Sequence, residues 1–282
     1  MESVTKIDRS MLLFKAAEHL LEEEKTFELF DELKQNHLNV NVRDHIAQTP
    51  LHASAFAGNK ELAELLIEAG ADVNVKDRYS RTALSIAIKC GNNKLVKFLL
   101  EKGANVFTVD KFGQRPLHLA TELVGNIATI ELLLSHDCVV NVQNDDGKTP
   151  FHNAIERNDE DVINLLLTKD INVFTVDRKG RTPLHDAVIY GNVSIVKMIL
   201  KRTLPENVYI GDKNGVTAVH TAVFYGREEI IKLLLDADED VIHHRDNSGC
   251  PPLHYAKDPS IIKLLIDRGA ELGVFCKCEQ SM

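Results

Sequence analysis

Six histidines stand at one position of a recurring phrase and are the first candidates for chemistry. They follow Thr-Pro-Leu or a close variant, and they are His52, His118, His152, His185, His220 and His254. Imidazole can bind a metal ion or act as a general base, but both roles need groups that converge within a few ångströms. Copies of the phrase begin at 49, 82, 115, 149, 182, 217 and 251, so equivalent residues are spread along the chain. This spacing predicts no shared metal ion.

The motifs of common catalytic sites are missing from the sequence. There is no G-x-S-x-G nucleophile elbow, no G-x-x-x-x-G-K-[ST] phosphate loop and no H-E-x-x-H zinc helix. The pair His243-His244 lacks cysteines or carboxylates at a matching spacing, and Cys276-x-Cys278 alone makes a poor metal site. We therefore expect a chain that is not an enzyme, with no catalytic residues, no cofactor and no metal.

Composition places the chain among soluble globular proteins. Its formal net charge of −9 argues against binding of nucleic acid or of an anionic membrane. An odd number of cysteines without a scaffold spacing indicates free thiols in a reducing compartment, and the five are Cys90, Cys138, Cys250, Cys276 and Cys278. The first residues lack the apolar run of a signal peptide. These features predict a cytoplasmic or nuclear location.

The chain around each copy of the phrase predicts a pair of short helices. Thr at the N-cap and Pro at the first helical position start one helix, and a Gly such as Gly58 ends it. A second apolar helix follows and ends on a glycine in three copies, at Gly70, Gly103 and Gly269. In three other copies that place holds Asp137, Asp170 and Asp238. These aspartates should adopt the left-handed backbone at a cost on the order of 1 kcal/mol, or the helices should end differently.

A period near 33 residues built on T-P-L-H-x-A resembles the ankyrin repeat family, and the resemblance covers nearly the whole chain. It implies an all-α solenoid of paired antiparallel helices with short β-hairpin loops. We expect an N-terminal extension at 1–10, one solenoid at 11–275 and a tail at 276–282. The expected units are an N-terminal cap repeat at 11–43, repeats near 44–76, 77–109, 110–143, 144–176, 177–211 and 212–245, and a C-terminal cap repeat at 246–275.

Within the N-terminal cap repeat, apolar residues at helical spacing predict two helices, at 11–17 and 26–33. The intervening run Glu22-Glu23-Glu24-Lys25 predicts a solvated turn. A terminal unit needs such a polar outer face because no further repeat stacks on it.

Most of the phrase has a structural role if the resemblance holds. In ankyrin repeats the Thr and His side chains hydrogen-bond within and between units, which implies this role for Thr49, His52, His118, Thr149, His152, Thr182, His185, His220 and His254. Hydroxylation of hairpin asparagines is a further implication of the family. Asn74 and Asn105 are the candidate acceptors.

The candidate binding residues flank the phrase, on hairpin tips and late in the first helices. In the family these positions form the concave face. Arginine and aromatic side chains exposed there are typical interface hot spots, and the candidates are Phe56, Arg78, Tyr79, Arg81, Lys111, Phe112, Arg178, Lys179, Arg181, Tyr190, Phe224 and Tyr225. We expect a protein partner with an acidic and apolar segment, no nucleic acid, no membrane, and a monomer when unbound. The competing interpretation is that the tip charges are only solvated turns.

Three functions remain open from the sequence. The first is a non-catalytic interaction scaffold that binds a partner on the hairpin and first-helix face. The second is a stoichiometric inhibitor or a host-directed effector, resembling ankyrin proteins of the NF-κB inhibitor type. The third is a fragment of a larger enzyme or toxin. An inhibitor should bind one partner tightly, whereas an adaptor should bridge two.

Overall fold

The computed structural model describes residues 11–17, 23–35, 38–202 and 208–273. The chain divides into two compact units, unit 1 at residues 1–139 and unit 2 at residues 140–282. The expected extension at 1–10 and the tail at 276–282, with Cys276 and Cys278, lie outside the described residues. The expected repeat boundaries stay a prediction.

Unit 1 consists of pairs of short helices joined by turns. Its helices are α1 (residues 11–17), α2 (Glu23–Lys34), α3 (Pro50–Ala57), α4 (Lys60–Glu68), α5 (Ala83–Lys89), α6 (Asn93–Glu101), α7 (Pro116–Thr121) and α8 (Ile127–Leu134). The first helices α3, α5 and α7 pack against their second helices α4, α6 and α8, and they also lie side by side. The second helices α2, α4, α6 and α8 form the neighbouring row.

Unit 2 repeats this arrangement. Its helices are α9 (Pro150–Glu156), α10 (Glu160–Leu167), α11 (Pro183–Tyr190), α12 (Val193–Leu200), α13 (Ala218–Phe224), α14 (Glu228–Ala237) and α15 (Pro259–Asp267). Two 3₁₀-helices, Glu239–His243 and Pro252–Tyr255, belong to the same unit. The second of these stands where the other copies have a first helix, so the final pair is shortened.

Leucine, isoleucine, valine and alanine form the core between the two rows. Leu51, Leu84 and Leu117 of the first helices are at most 1% exposed, and Leu66 and Leu99 of the second helices are fully buried. Helices of six to twelve residues are too short to be stable alone in water. Burial of each such leucine contributes about 2 kcal/mol, so packing between neighbouring pairs stabilises the fold.

The helix ends follow the glycine pattern with informative exceptions. Gly58 and Asn158 both have a positive φ, 73° and 57°, at the turn between paired helices. Asp137 keeps the left-handed backbone, with a φ of 56°. Asp238 instead has an extended backbone and leads into a 3₁₀-helix, and Asp170 is not among the residues of positive φ. Both outcomes allowed for these aspartates therefore occur.

One prediction for the N-terminal cap repeat is wrong. Glu23, Glu24 and Lys25 are helical in α2, whereas the sequence predicted a turn there; Glu22 lies outside the described residues. Glutamate and lysine are good helix formers, and acidic residues in a first turn interact favourably with the helix dipole. The expected all-α arrangement of paired short helices is confirmed among the described residues. Its hairpin loops are turns, and among the described residues none contains a strand.

Candidate partner-binding surface

The Thr-Pro-Leu-His phrase forms a local cap at the start of a first helix. In unit 1 the backbone N–H of Thr49 donates to Nδ1 of His52 at 3.1 Å, and Oγ1 of Thr49 lies 2.8 Å from the same nitrogen. The other ring nitrogen, Nε2, lies 3.1 Å from the carbonyl oxygen of Arg81 in the next hairpin. The ring thus joins the cap of one repeat to the hairpin of the next.

Unit 2 contains the same arrangement twice over. His185 accepts from the Thr182 backbone at Nδ1 and lies 3.0 Å from the carbonyl oxygen of Val216 at Nε2. His220 lies 3.1 Å from the carbonyl oxygen of Cys250. Because Nδ1 accepts a backbone N–H, the ring proton must sit on Nε2, which donates to the carbonyl.

These histidine rings are kept neutral by burial. Burial lowers the pKa of His52 and His185 below the ordinary value, although the ring bond to a carbonyl partly opposes it. The same cause lowers the pKa of His152 and His220 to about 4. Nitrogens already engaged with the backbone are poor metal ligands. Among the described residues, no group of three or more His, Cys, Asp or Glu could hold a metal ion.

Neighbouring hairpin tips are joined by main-chain hydrogen bonds. In unit 1 the Lys111 N–H donates to the carbonyl of Tyr79 at 3.2 Å. In unit 2 the Arg178 N–H donates to the carbonyl of Asp146 at 2.8 Å, and that of Lys213 to the carbonyl of Lys179 at 3.0 Å. The tips therefore present their side chains at fixed spacing.

The first residue of a tip fixes its conformation; it is an aspartate in most tips and Asn144 in one. Oδ1 of Asp77 accepts the backbone N–H groups of Tyr79 and Arg81, at 2.8 and 2.9 Å, and Oδ2 accepts from the Arg81 guanidinium. Burial alone would raise the pKa of Asp77, but these hydrogen bonds and the Arg81 charge lower it below the usual value. A turn braced in this way needs little reorganisation on binding.

The tips of unit 1 form a cationic and aromatic cluster, which we name the tip cluster: Tyr79, Arg81, Lys89, Asp110, Lys111 and Phe112. The Lys111 ammonium lies 4.4 Å from the ring centroid of Tyr79 and 4.7 Å from that of Phe112. The Arg81 guanidinium lies 5.0 Å from the Tyr79 ring. Phe112 is 55% exposed. Arg78 on the same tips is exposed as well.

Arg181 has a different environment from the other predicted binding residues. Its guanidinium pairs with Asp177 at 2.8 Å and with the buried Asp186 at 3.3 Å. Burial raises the pKa of Asp186 to about 6, even though the Arg181 charge lowers it. Arg181 therefore compensates two carboxylates of its own unit, and it is only partly available to a partner.

The remaining tips of unit 2 carry charges of both signs. Arg178 and Lys179 are exposed, as expected for contact residues. The adjacent tip, however, carries the exposed Asp145 and Asp146, which the sequence argument did not include. The positive tips of unit 2 therefore begin beside a negative one.

An exposed aromatic group lies at the end of α13, and we name it the aromatic patch: Phe224, Tyr225 and Lys257. The two rings are perpendicular, with centroids 5.2 Å apart, and the Lys257 ammonium lies 4.5 Å from the Phe224 centroid. Tyr190 ends α11 in the same unit and is also exposed. In unit 1, Phe56 near the end of α3 is 69% exposed.

The sequence pattern did not predict Lys89 or Lys257 as binding residues. Lys89 lies seven residues after Thr82, and Phe56 and Phe224 lie seven residues after Thr49 and Thr217. Aligning the copies at the first residue of the phrase would have placed Lys89 on the same face. Lys257 follows a shortened helix, so the same alignment gives no equivalent position for it.

The two candidate hydroxylation sites lie on adjacent hairpins and are bonded to one another. The Asn105 backbone N–H donates to Oδ1 of Asn74 at 2.8 Å, and Nδ2 of Asn74 lies 3.3 Å from the carbonyl oxygen of Gly103. Both side chains are on exposed residues. Their hydroxylation stays a prediction.

Cys90, Cys138 and Cys250 are free thiols. In the part of the chain that the structure describes, no helix is long and apolar enough to cross a membrane.

Comparison with known proteins identifies the fold family. A family model for ankyrin repeats in three copies matches residues 13–110, 79–144, 117–210 and 199–276. Among solved structures, the human ASB11 ankyrin repeat domain is similar, with a TM-score of 0.68 and 27% sequence identity. That similarity covers 79% of this chain and 99% of the human domain. No curated protein sequence is significantly similar to this chain.

The match to the family model spans almost all of the described residues. It agrees with the paired short helices, the glycine-ended turns and the histidine bonds between repeats. The 609 solved chains with significant similarity show that this architecture is widely shared, so it does not by itself select a partner. The chain belongs to the ankyrin repeat family.

Proposed function

We propose that this chain is a non-catalytic scaffold that binds a partner protein on its hairpin tips and the ends of its first helices. Ankyrin repeats mediate protein–protein binding, and ankyrin repeat proteins are generally non-catalytic interaction domains. The observation that carries the proposal is the exposure of large aromatic residues at these positions. Phe56, Phe112 and Phe224 are between 47% and 69% exposed, and the fold gains nothing from their exposure.

The proposed partner has an acidic and apolar binding segment. Arg78, Lys111, Arg178 and Lys179 are exposed cations on the tips of a chain with a formal net charge of −9. Positive groups next to aromatic rings complement carboxylates next to apolar side chains. We further propose that the unbound chain is monomeric and works in the cytoplasm or nucleus, where its free thiols stay reduced.

Site-specific photo-crosslinking in the native cell tests the proposed face. A photoreactive phenylalanine analogue replaces Phe56, Phe112 or Phe224 in turn, and the controls place it at Lys97 or Lys232, exposed positions on second helices. We expect partner protein to crosslink at the three phenylalanine positions, either the same protein at all three or one at Phe56 and Phe112 and another at Phe224, and none at the controls. Crosslinks to proteins only at Lys97 and Lys232 would overturn the proposed face.

The number of different proteins bound to one chain distinguishes an adaptor from a dedicated inhibitor. Native mass spectrometry of the complex isolated by crosslinking should show one chain with two different proteins for an adaptor. One chain with a single protein supports the inhibitor. The tip cluster in unit 1 and the aromatic patch in unit 2 favour the adaptor, because each unit carries its own exposed hot-spot residues.

A further inference from the structure

The tip cluster of unit 1 encloses a small pocket. Its volume is about 290 Å³, and it is lined by Tyr79, Arg81, Lys89, Asp110, Lys111 and Phe112. Pockets for drug-sized ligands and cofactors span roughly 300–1,000 Å³. This pocket is therefore at the lower limit of that range, and its size suits one or two amino-acid side chains better than a nucleotide.

Two of the three cations that line the pocket, Lys89 and Lys111, are available to pair with a ligand. Arg81 pairs with Asp77 at 2.7 Å, and Oδ1 of Asp110 accepts the backbone N–H groups of Phe112 and Gln114. Neither Lys89 nor Lys111 forms an ion pair with another described residue. The ammonium groups of Lys89 and Lys111 thus line the pocket without an ion-pair partner among the described residues, and the one carboxylate in the lining, that of Asp110, is engaged by two backbone N–H groups.

The position of Lys111 is set by the rings on either side of it. Its ammonium lies within 5 Å of the centroids of both Tyr79 and Phe112, and its backbone N–H is bonded to the Tyr79 carbonyl. A cation held in this way loses less side-chain entropy when it pairs with an anion. Phe112 also offers an exposed apolar face beside that cation.

We propose that this pocket binds a partner segment in which a carboxylate side chain, Asp or Glu, adjoins an apolar side chain. The carboxylate pairs with Lys89 and Lys111, and the apolar side chain covers the ring of Phe112. This inference rests on the proposed function, because its ligand is a segment of a partner protein. It adds the ligand chemistry and the anchoring residues.

Fluorescence anisotropy with defined peptides and the full chain tests the proposal. The probe is a labelled peptide, Gly-Ser-Gly-Leu-Glu-Leu-Glu-Gly-Ser-Gly, in low-salt buffer. Two matched peptides replace both Glu by Gln or both Leu by Ser. We expect each replacement to weaken binding, by about five-fold or more for Gln, because two exposed ion pairs are lost. A labelled oligothymidylate of similar length tests nucleic acid, since cations beside aromatic rings can also bind stacked bases.

Variants of the chain then locate the binding site. Lys89→Met with Lys111→Met keeps an aliphatic side chain at both positions and removes both charges. It should weaken the Glu peptide about five-fold and leave the Gln peptide unchanged. Lys94→Met with Lys97→Met, on the exposed side of α6, is the matched control and should have no effect. Thermal unfolding of each variant shows that the fold is retained.

Several outcomes would overturn this proposal. They are no saturable binding of the Glu peptide at 1 mM, equal binding of the Glu and Gln peptides, equal loss in the two lysine variants, or tighter binding of oligothymidylate. The photo-crosslinking result does not depend on this pocket, since a partner can still crosslink at Phe56 and Phe224. Failure of the pocket and failure of the proposed function are therefore distinguishable.

Discussion

At the scale of single residues, two arginines that lie four residues after the aspartates opening equivalent tips have different surroundings. Arg81 pairs with Asp77 and lies over the ring of Tyr79 in an open pocket. Arg181 pairs with Asp177 and with Asp186, and Asp186 is fully buried. Removing one partner of a buried ion pair is costly, because the remaining charge stays desolvated.

We therefore predict that Arg181→Ala destabilises the fold by about 1–2 kcal/mol, since Asp186 loses its nearest cation and, with a pKa of about 6, takes up a proton at a cost of about 1.4 kcal/mol per pH unit. The measurement is urea unfolding at pH 7. Arg178→Ala, on the same tip but exposed, is the matched control and should change stability by less than about 0.5 kcal/mol.

The double variant Arg181→Ala with Asp186→Ala distinguishes this cause from general loss of packing. It should recover much of the lost stability, because the buried Asp186 carboxylate is removed and Asp177 still accepts the backbone N–H groups of residues 179 and 181. An Arg181→Ala chain as stable as the Arg178→Ala chain would contradict the prediction. So would a double variant that is less stable than Arg181→Ala.

At the scale of elements, the spacing between hairpin tips depends on glycines at which two backbones meet. Gly180 has a φ of 81°, and a Cβ added there would lie 2.7 Å from the Lys213 backbone nitrogen. Gly103 has a similar φ of 84°, but a Cβ added there would meet nothing within 4 Å. The two positions separate the cost of a left-handed backbone from the cost of close packing.

We predict that Gly103→Ala lowers stability by about 1 kcal/mol, the cost of a left-handed backbone at a residue with a Cβ. Gly180→Ala should lower it by at least about 2 kcal/mol more, since the tips of two repeats must also separate. Urea unfolding of both variants is the measurement. Equal losses would show that the tips can move apart freely.

These elements also show how far the sequence could specify the structure. The periods of apolar residues and glycines were enough for the helix pairs and for most of their ends. They did not predict that α2 begins at Glu23, because a run of charged residues suggests a turn unless helix propensity is also considered. The tip cluster joins Tyr79 to Lys111, thirty-two residues apart, so it follows only once adjacent repeats are placed in register. The pairing of Arg181 with Asp186 could not be predicted, because the sequence pattern does not show that Asp186 is buried.

At the scale of the whole molecule, the repeated histidines make stability depend on pH. An unfolded histidine titrates near 6.5, whereas the pKa of His152 and of His220 in the fold is about 4. Below pH 6.5 the unfolded chain binds more protons than the folded chain. The histidine contribution to stability is therefore fully present above pH 6.5 and is lost as pH falls towards 4.

We predict a fall in the free energy of unfolding between pH 6.5 and pH 4.5, with about 2 kcal/mol from each of these two histidines. Asp186 acts in the opposite direction, because its raised pKa of about 6 favours the fold at low pH and reduces the net loss. Urea unfolding across this range is the measurement.

His220→Ser is the matched variant for this test. In the copy at Thr82, Oγ of Ser85 already accepts the backbone N–H of Thr82 at 2.9 Å, so a serine can keep the helix cap without titrating. The variant should be less stable at pH 7 and should lose less stability on acidification. A variant with the same pH dependence as the wild type would rule out His220 as a source of it.

The acidic tip of unit 2 makes the charge along that unit's row of tips asymmetric. Asp145 and Asp146 precede Arg178 and Lys179, and the two tips are joined by a main-chain bond of 2.8 Å. A row of tips that changes sign along its length attracts a charged segment in one orientation and repels it in the reverse one. We expect an acidic partner segment to lie against Arg178 and Lys179 and to be repelled from Asp145 and Asp146, so the unit should distinguish the polarity of the chain it binds.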